Sequence, residues 1–248
     1  MLQRLQSAYV SQLTFKLGTN NIQYMFMLLS KAPEVLQKLR QEHDDVFYNA
    51  DFDETISRLQ DNPQTLADLK YTAAVIRETA RLFPGGFGAR VAEEGFVTND
   101  SLTRVMLTQS SATIPYNDNT YPIDNNLLII ANSHTLHYDS KYFADPDAFQ
   151  PERFLGSDSA NAKNCFRTFS RGSRACLGGN MAMEEMKVLL LMTARYYDFE
   201  CAGLSPNLKP KAAFTERDTV FGDIIFQCLG FDAKPRGGMM MKVKKRVL

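Results

Sequence analysis

The chain lacks any charge excess. Its 248 residues carry 28 Lys and Arg against 28 Asp and Glu, so nothing in its balance favours nucleic acid as a partner. Paired cysteines are also missing: Cys165, Cys176, Cys201 and Cys228 are scattered with no Cys-x-x-Cys. That usage favours reduced thiols in a cytosol-facing compartment over a disulfide framework. The three histidines, His43, His134 and His137, stand at no zinc-ligand spacing from any cysteine, which argues against a zinc site. No run approaches the ~20 apolar residues that span a bilayer, and Met1 to Gln6 does not read as a secretory signal. The sequence by itself therefore predicts no membrane span and no anchor. No internal repeat or low-complexity linker divides it, and with 44% hydrophobic residues one core and a single domain over 1–248 is the simplest organisation.

What is present reads as mainly α with small β-sheets, an α+β chain. Helices are expected around residues 7–30, 33–47, 66–83 and 180–195, and strands around 88–98, 103–109, 127–131 and, with turns, 212–243. Pro33 suits a helix start, and Leu36, Leu39, His43 and Val46 continue on one face. Leu66, Leu69, Ala73, Ile76, Ala80 and Phe83 recur at three- and four-residue steps. They predict an amphipathic helix capped by Thr65 and stopped by Pro84. Glu78 and Arg81 lie off that stripe, where periodicity alone reads a solvated ion pair contributing less than about 1 kcal/mol. Near the end, Ile224-Ile225-Phe226 and Met239 to Val243 are strand-like, broken by Gly222, Pro235, Gly237 and Gly238.

The stretch Phe169-Ser170-Arg171-Gly172-Ser173-Arg174-Ala175-Cys176-Leu177-Gly178-Gly179 carries the most chemistry. Gly172 and Gly178 are expected to supply backbone conformations closed to other residues and to let a flat macrocycle lie against the chain. Asn180 to Met192 is rich in helix formers, so a helix is predicted to start just after the cysteine. Its unpaired N–H groups would stabilise a thiolate and lower the thiol pKa. Arg174 offers a fixed charge for a carboxylate such as a haem propionate. A small buried cysteine ahead of a core helix is the other reading of an isolated Cys-x-Gly. Phe169, the two glycines and Arg174 together favour the metal ligand.

This segment resembles the haem-ligand signature of the cytochrome P-450 (haem-thiolate monooxygenase) family, Phe-x-x-Gly-x-Arg-x-Cys-x-Gly. All five defined positions match, at Phe169, Gly172, Arg174, Cys176 and Gly178. The resemblance implies Cys176 as the axial ligand of the iron of haem b (iron protoporphyrin IX), Arg174 as a propionate contact and Phe169 beside the sulfur. Gly179 departs from the pattern, standing where the family usually has a longer polar residue. Glu78-Thr79-Ala80-Arg81 resembles the family's Glu-x-x-Arg, and Phe149-Gln150-Pro151-Glu152-Arg153-Phe154 its Pro-Glu-Arg-Phe. By that likeness Glu78, Arg81 and Arg153 form a charge-assisted cluster that locks the cysteine loop to the core. His137, in a His-x-Asp element, would be structural or near a propionate, and Arg90 is either a further propionate candidate or a surface arginine.

Family members are about twice this length, and the resemblance starts in the middle of theirs. The expectation is a truncated cytochrome P-450 fold: one C-terminal haem-binding portion over 1–248, with the N-terminal half absent. The distal helix departs most. Counting back from Pro33 puts Lys16 and Leu17 where the family has its acid and alcohol, with Thr14, Gly18, Thr19, Asn20 and Asn21 as the nearest substitutes. No catalytic pair is recognisable. The resemblance implies insertion of one atom of dioxygen into a small organic substrate, with electrons from a flavoprotein reductase that Lys163, Arg167, Arg171 and Lys187 could help dock. It further implies a place on the cytosolic face of the endoplasmic reticulum when an N-terminal anchor is present. Two other readings stay open: a non-catalytic remnant acting as an interaction fragment, and a haem enzyme performing an oxygen-independent rearrangement or dehydration.

Overall fold

A computed structural model of the protein describes residues 21–86, 88–91, 112–116, 118–123, 128–156, 159–172, 175–229 and 233–246. The chain enters as helix α1, residues 21–29, which buries Tyr24, Met25, Met27, Leu28 and Leu29. Pro33 then opens α2 (Pro33–Phe47), where its fixed φ suits the first turn and its missing N–H removes no helical bond. Tyr48 and Asn49, at φ 51° and 54°, end α2 in a left-handed turn. Helix α3 (Phe52–Asp61) follows at once, its N-terminus closed by the Asp51 carboxylate accepting from Glu54 N. It was not legible in the sequence, because its buried residue is a threonine, Thr55, rather than an apolar stripe.

The helix expected over 66–83 is shorter than its pattern. Residues Pro63–Asp68 form a 3-10 turn that contains Thr65, and α4 runs Lys70–Leu82. Its cap is not Thr65. The Glu42 carboxylate of α2 accepts from Tyr71 N at 2.5 Å and Thr72 N at 2.8 Å, two of the first-turn donors that have no partner within a helix. Along α4, burial reaches Thr72, Ala74, Glu78, Thr79 and Arg81 as well as the apolar positions, so it is a central helix rather than a half-exposed one. Strand β1 (Gly88–Val91) comes next, then β2 (Ala112–Tyr116), β3 (Asn119–Ile123) and β4 (Leu128–Ala131). The strand expected over 103–109, the rest of that over 88–98, and the helix over 7–20 fall outside the described residues.

Short helix α5 (Ser133–His137), a 3-10 turn at Pro151–Phe154 and α6 (Ser159–Cys165) lead to the cysteine loop. After it come α7 (Gly179–Ala194), β5 (Tyr197–Cys201), α8 (Asp218–Phe221), β6 (Gln227–Leu229), β7 (Ala233–Pro235) and β8 (Met241–Lys245). The tail predicted as strands is thus partly helical: Ile224 and Ile225 lie in a 3-10 turn, Asp223–Ile225, entered through Gly222. There φ is 75° and a Cβ would fall 2.1 Å from Ser205 O, a backbone contact that glycine alone permits. The pairings are β1 with β4, β2 with β3, β5 with β8 and β6 with β7, each antiparallel.

The main core lies where α1, α2, α4 and α7 meet, around Met25, Leu39, Val75, Ile76, Met186 and Leu190. A second cluster joins Tyr24, Leu82 and Phe83 to Cys201, Phe221 and Ile225, with Tyr24 stacked on Phe83 at 3.9 Å between ring centroids. The architecture is helical with small antiparallel sheets at its margins. Among the described residues no helix is long and apolar enough to cross a membrane.

Candidate functional site

The last turn of α4 leaves carbonyl groups without helical donors, as every helix end does, and distant side chains supply them. Thr168 Oγ1 donates to Ala80 O at 2.7 Å, His137 Nδ1 to Arg81 O at 2.9 Å, and Tyr138 Oη to Leu82 O at 3.3 Å. The other ring nitrogen, His137 Nε2, accepts from Arg167 N at 2.9 Å. A carbonyl on one side and an N–H on the other are both satisfied by the neutral ring protonated at Nδ1. Burial, with Arg81 and Arg167 nearby, holds the His137 pKa down at about 3. Both nitrogens are spent inside the fold and none is left for a propionate, so His137 is a structural clamp between α4 and the cysteine loop.

The loop itself closes through its backbone. Cys176 N donates to Phe169 O at 2.8 Å, Ala175 N to Gly172 O at 3.1 Å, and Gly179 N to Cys176 O at 3.2 Å. Gly172 stands at φ 75° with no heavy atom within 4 Å of where a Cβ would be, an open left-handed corner. Gly178 differs from expectation: at φ −87° and ψ 1° it sits in a conformation that other residues also reach. It is buried and serves as the residue before α7. Gly179 has a packing reason, since a Cβ there would lie 3.4 Å from two ring carbons of Phe169. The ring packs straight over the start of α7, where no side chain caps the helix.

Cys176 is exposed and unpaired, and Leu177 beside it is 96% exposed. Cys165, Cys201 and Cys228 are free as well. Cys201 is a packing residue, 3.4 Å from Ser30 Oγ and 3.5 Å from Met241 Sδ. Among the described residues no group of three His, Cys, Asp or Glu side chains could share a metal ion. Arg174 and the side chain of Arg90 lie outside the described residues, although the Arg90 backbone pairs with Ile129 in β1 and β4.

Glu78 and Arg81, an i,i+3 pair that periodicity reads as solvated, are both fully buried. Arg81 Nε and Nη2 each donate to one Glu78 oxygen at 2.8 Å, a bidentate pairing. Arg153 Nε and Gln150 N reach Glu78 Oε1 at 3.0 Å each. Arg81 Nη1 donates to His137 O at 2.7 Å, and its guanidinium lies over the Phe143 ring. Arg153 Nη1 holds Ala144 O at 2.9 Å. Glu78, Arg81 and Arg153 are therefore brought into one cluster, whose charges are matched by partners instead of water. Neighbouring Glu152 binds Lys38 of α2 at 2.6 Å and Tyr71 of α4 at 2.9 Å.

Two expectations about the basic residues need correction. Lys187 is buried, with Nζ bound to Leu66 O and to Glu184, both at 2.9 Å, and so cannot form a docking surface. Arg167 is turned onto Asn164 O and Phe166 O. Lys163 and Arg171 remain exposed. The clamps at Thr168, His137 and Glu42 escaped sequence reasoning, because each joins residues 29 to 88 positions apart that no local spacing connects.

Comparison with known proteins agrees with this geometry. The sequence matches the cytochrome P450 family over residues 19–217. It is 35% identical over 225 residues to cytochrome P450 monooxygenase PC-23 of Penicillium crustosum, covering 90% of this chain and 99% of that protein. It is 32% identical over 248 residues to cytochrome P450 monooxygenase acrF of Aspergillus aculeatus, covering 91% of this chain and 47% of that one. Against human cytochrome P450 4V2 it is 30% identical over 229 residues, 35% of that protein. The chain thus spans about half or less of the length of the latter two. With the Phe169 to Gly178 loop, the buried Glu78, Arg81 and Arg153 cluster and these matches together, the chain belongs to the cytochrome P450 family, a family that implies a haem cofactor.

Proposed function

We propose that residues 1–248 form one haem-binding portion of a haem-thiolate monooxygenase, with haem b as cofactor and Cys176 as its iron ligand. The carrying observation is the exposed Cys176 thiol, on a loop closed by the Cys176 to Phe169 backbone bond and stitched to a central buried helix. The residues present fit a porphyrin. The sulfur stands beside an exposed apolar neighbour, Leu177, and an open corner at Gly172 leaves room for a flat ring to approach. When bound, a thiolate-ligated haem supplies dioxygen activation, because the sulfur pushes electron density onto the iron.

The chain's own residues hold the ligand in place. The uncapped start of α7 offers N–H groups and the positive end of a helix dipole to a thiolate. Phe169 fixes the floor of the loop, while Thr168 and His137 tie it to α4. Arg174 and Arg90 are proposed as propionate partners. The reading includes a small organic substrate and a flavoprotein reductase as electron donor, with exposed Lys163 and Arg171 near the thiolate loop as points of contact. By the family likeness, the setting is the cytosolic face of the endoplasmic reticulum when an N-terminal anchor is present.

The test is haem reconstitution read by absorption spectroscopy. The wild-type chain is expected to take up haem stoichiometrically and to give the red-shifted ferrous–CO Soret band of thiolate ligation. Cys176→Ala, at an exposed position, should leave the circular dichroism spectrum unchanged and remove that band. A Cys176→Ala protein with the same band, or a wild-type pigment with an imidazole-type spectrum, overturns the assignment.

A further inference from the structure

A cavity of about 470 Å³ opens between the end of α4, α5 and the β6–β7 hairpin. Phe83, Ile130, Phe214 and Phe226 are among its walls, and Ile130 and Phe214 are each half-exposed. One side is built of rings that touch each other. His134 stacks on Tyr138 at 4.7 Å between centroids, and Phe214 meets the pair edge-on at 4.9 and 5.2 Å. Mostly apolar pockets of this volume are where proteins take small molecules.

Most polar groups around this space are already spent inside the protein. Arg217, the one Lys, Arg, Asp or Glu among the described lining residues, is buried. Its Nη1 donates to Tyr138 Oη at 2.9 Å and lies 3.5 Å from Asp147 Oδ1, while Nη2 is closed off by protein atoms. Tyr138 Oη in turn donates to Leu82 O at 3.3 Å. Thr215 Oγ1 donates to Asp147 Oδ1 at 2.6 Å and accepts from Arg217 N at 3.2 Å. Asn132 Oδ1 accepts from Thr135 N, and Gln227 Nε2 donates to Pro84 O, both at 3.2 Å. His134 adds no charge at pH 7, since burial first and Arg217 second lower its pKa. A charged ligand would give up its water here and meet no opposite charge open to it. An uncharged ring gives up little and covers apolar surface that now faces solvent.

We infer that this cavity binds an uncharged aromatic small molecule, its ring held against Phe83, Phe214 and Phe226. Neither Cys176 nor Phe169 lines it, and its occupation does not depend on haem.

Fluorine NMR titration of the full chain with 1-fluoronaphthalene, and with 4-fluoro-1-naphthoate as its anionic counterpart, tests this. The neutral ring should bind about tenfold or more tightly than the acid, the loss expected when a charge is desolvated without a partner. Two variants locate the site. Gly86 lines the cavity with no atom within 4 Å of its added Cβ, so Gly86→Leu should fold normally, take up the space and abolish binding. Phe214→Ala, at a half-exposed position, should keep the circular dichroism spectrum and weaken binding several-fold. No binding of the neutral ring to the wild type, equal or tighter binding of the acid, or binding that both variants leave unchanged overturns the inference.

Discussion

At the scale of single residues, Glu78 decides the most. Its two oxygens accept from Arg81, Arg153 and the Gln150 backbone, and it is wholly enclosed. Removing its charge leaves Arg81 buried and uncompensated, which costs about 3–5 kcal/mol. Glu78→Gln is therefore expected to lower the unfolding free energy by that amount, read as a lower urea midpoint with little change in slope. Arg153→Ala should cost less, because its side chain keeps 10% exposure and water can reach what it leaves behind. Spacing placed Glu78 beside Arg81 correctly but read them as solvated. Helical periodicity registers apolar stripes, and a buried ion pair is polar in sequence whatever surrounds it. Cys176 was the more legible residue, since glycine, arginine and phenylalanine mark it locally.

At the scale of elements, α4 shows how a helix is positioned by others. Its start is capped from α2 by Glu42, and its end by Thr168, His137 and Tyr138. Helix caps contribute about 0.5–2 kcal/mol each, so Glu42→Ala is expected to destabilise the protein by roughly 1–2 kcal/mol in chemical denaturation. Thr65→Ala, at the position the sequence suggests as a cap, should have an effect below about 0.5 kcal/mol. The apolar repeat of α4 was readable, yet it extended into a 3-10 turn whose Leu66 packs beneath α7 and α3. Hydrophobic spacing of three fits that turn nearly as well as an α-helix.

For the whole molecule, the response to acid follows from two buried histidines. His43 is enclosed with Nε2 2.9 Å from Thr72 Oγ1, and burial first, then Arg195 and Arg40, lower its pKa to about 3. His137 is lowered to about 3 as well. Both stay neutral in the native state, whereas in the unfolded chain they take up protons below about pH 6.5. Stability is therefore full above that pH and falls as the pH drops from 6.5 towards 3, by about 1.4 kcal/mol per pH unit for each histidine. Urea midpoints at pH 7 and pH 5 should show the loss, and His43→Gln should reduce it by about half, leaving the part due to His137. The amino-acid sequence alone determined the family and the long helices, because those signals are local in spacing and composition. The tertiary structure decided that a surface-like ion pair is a buried cluster and that a histidine near the site is a clamp. Burial and hydrogen-bond partners come from residues far apart in the chain, and no local pattern carries them.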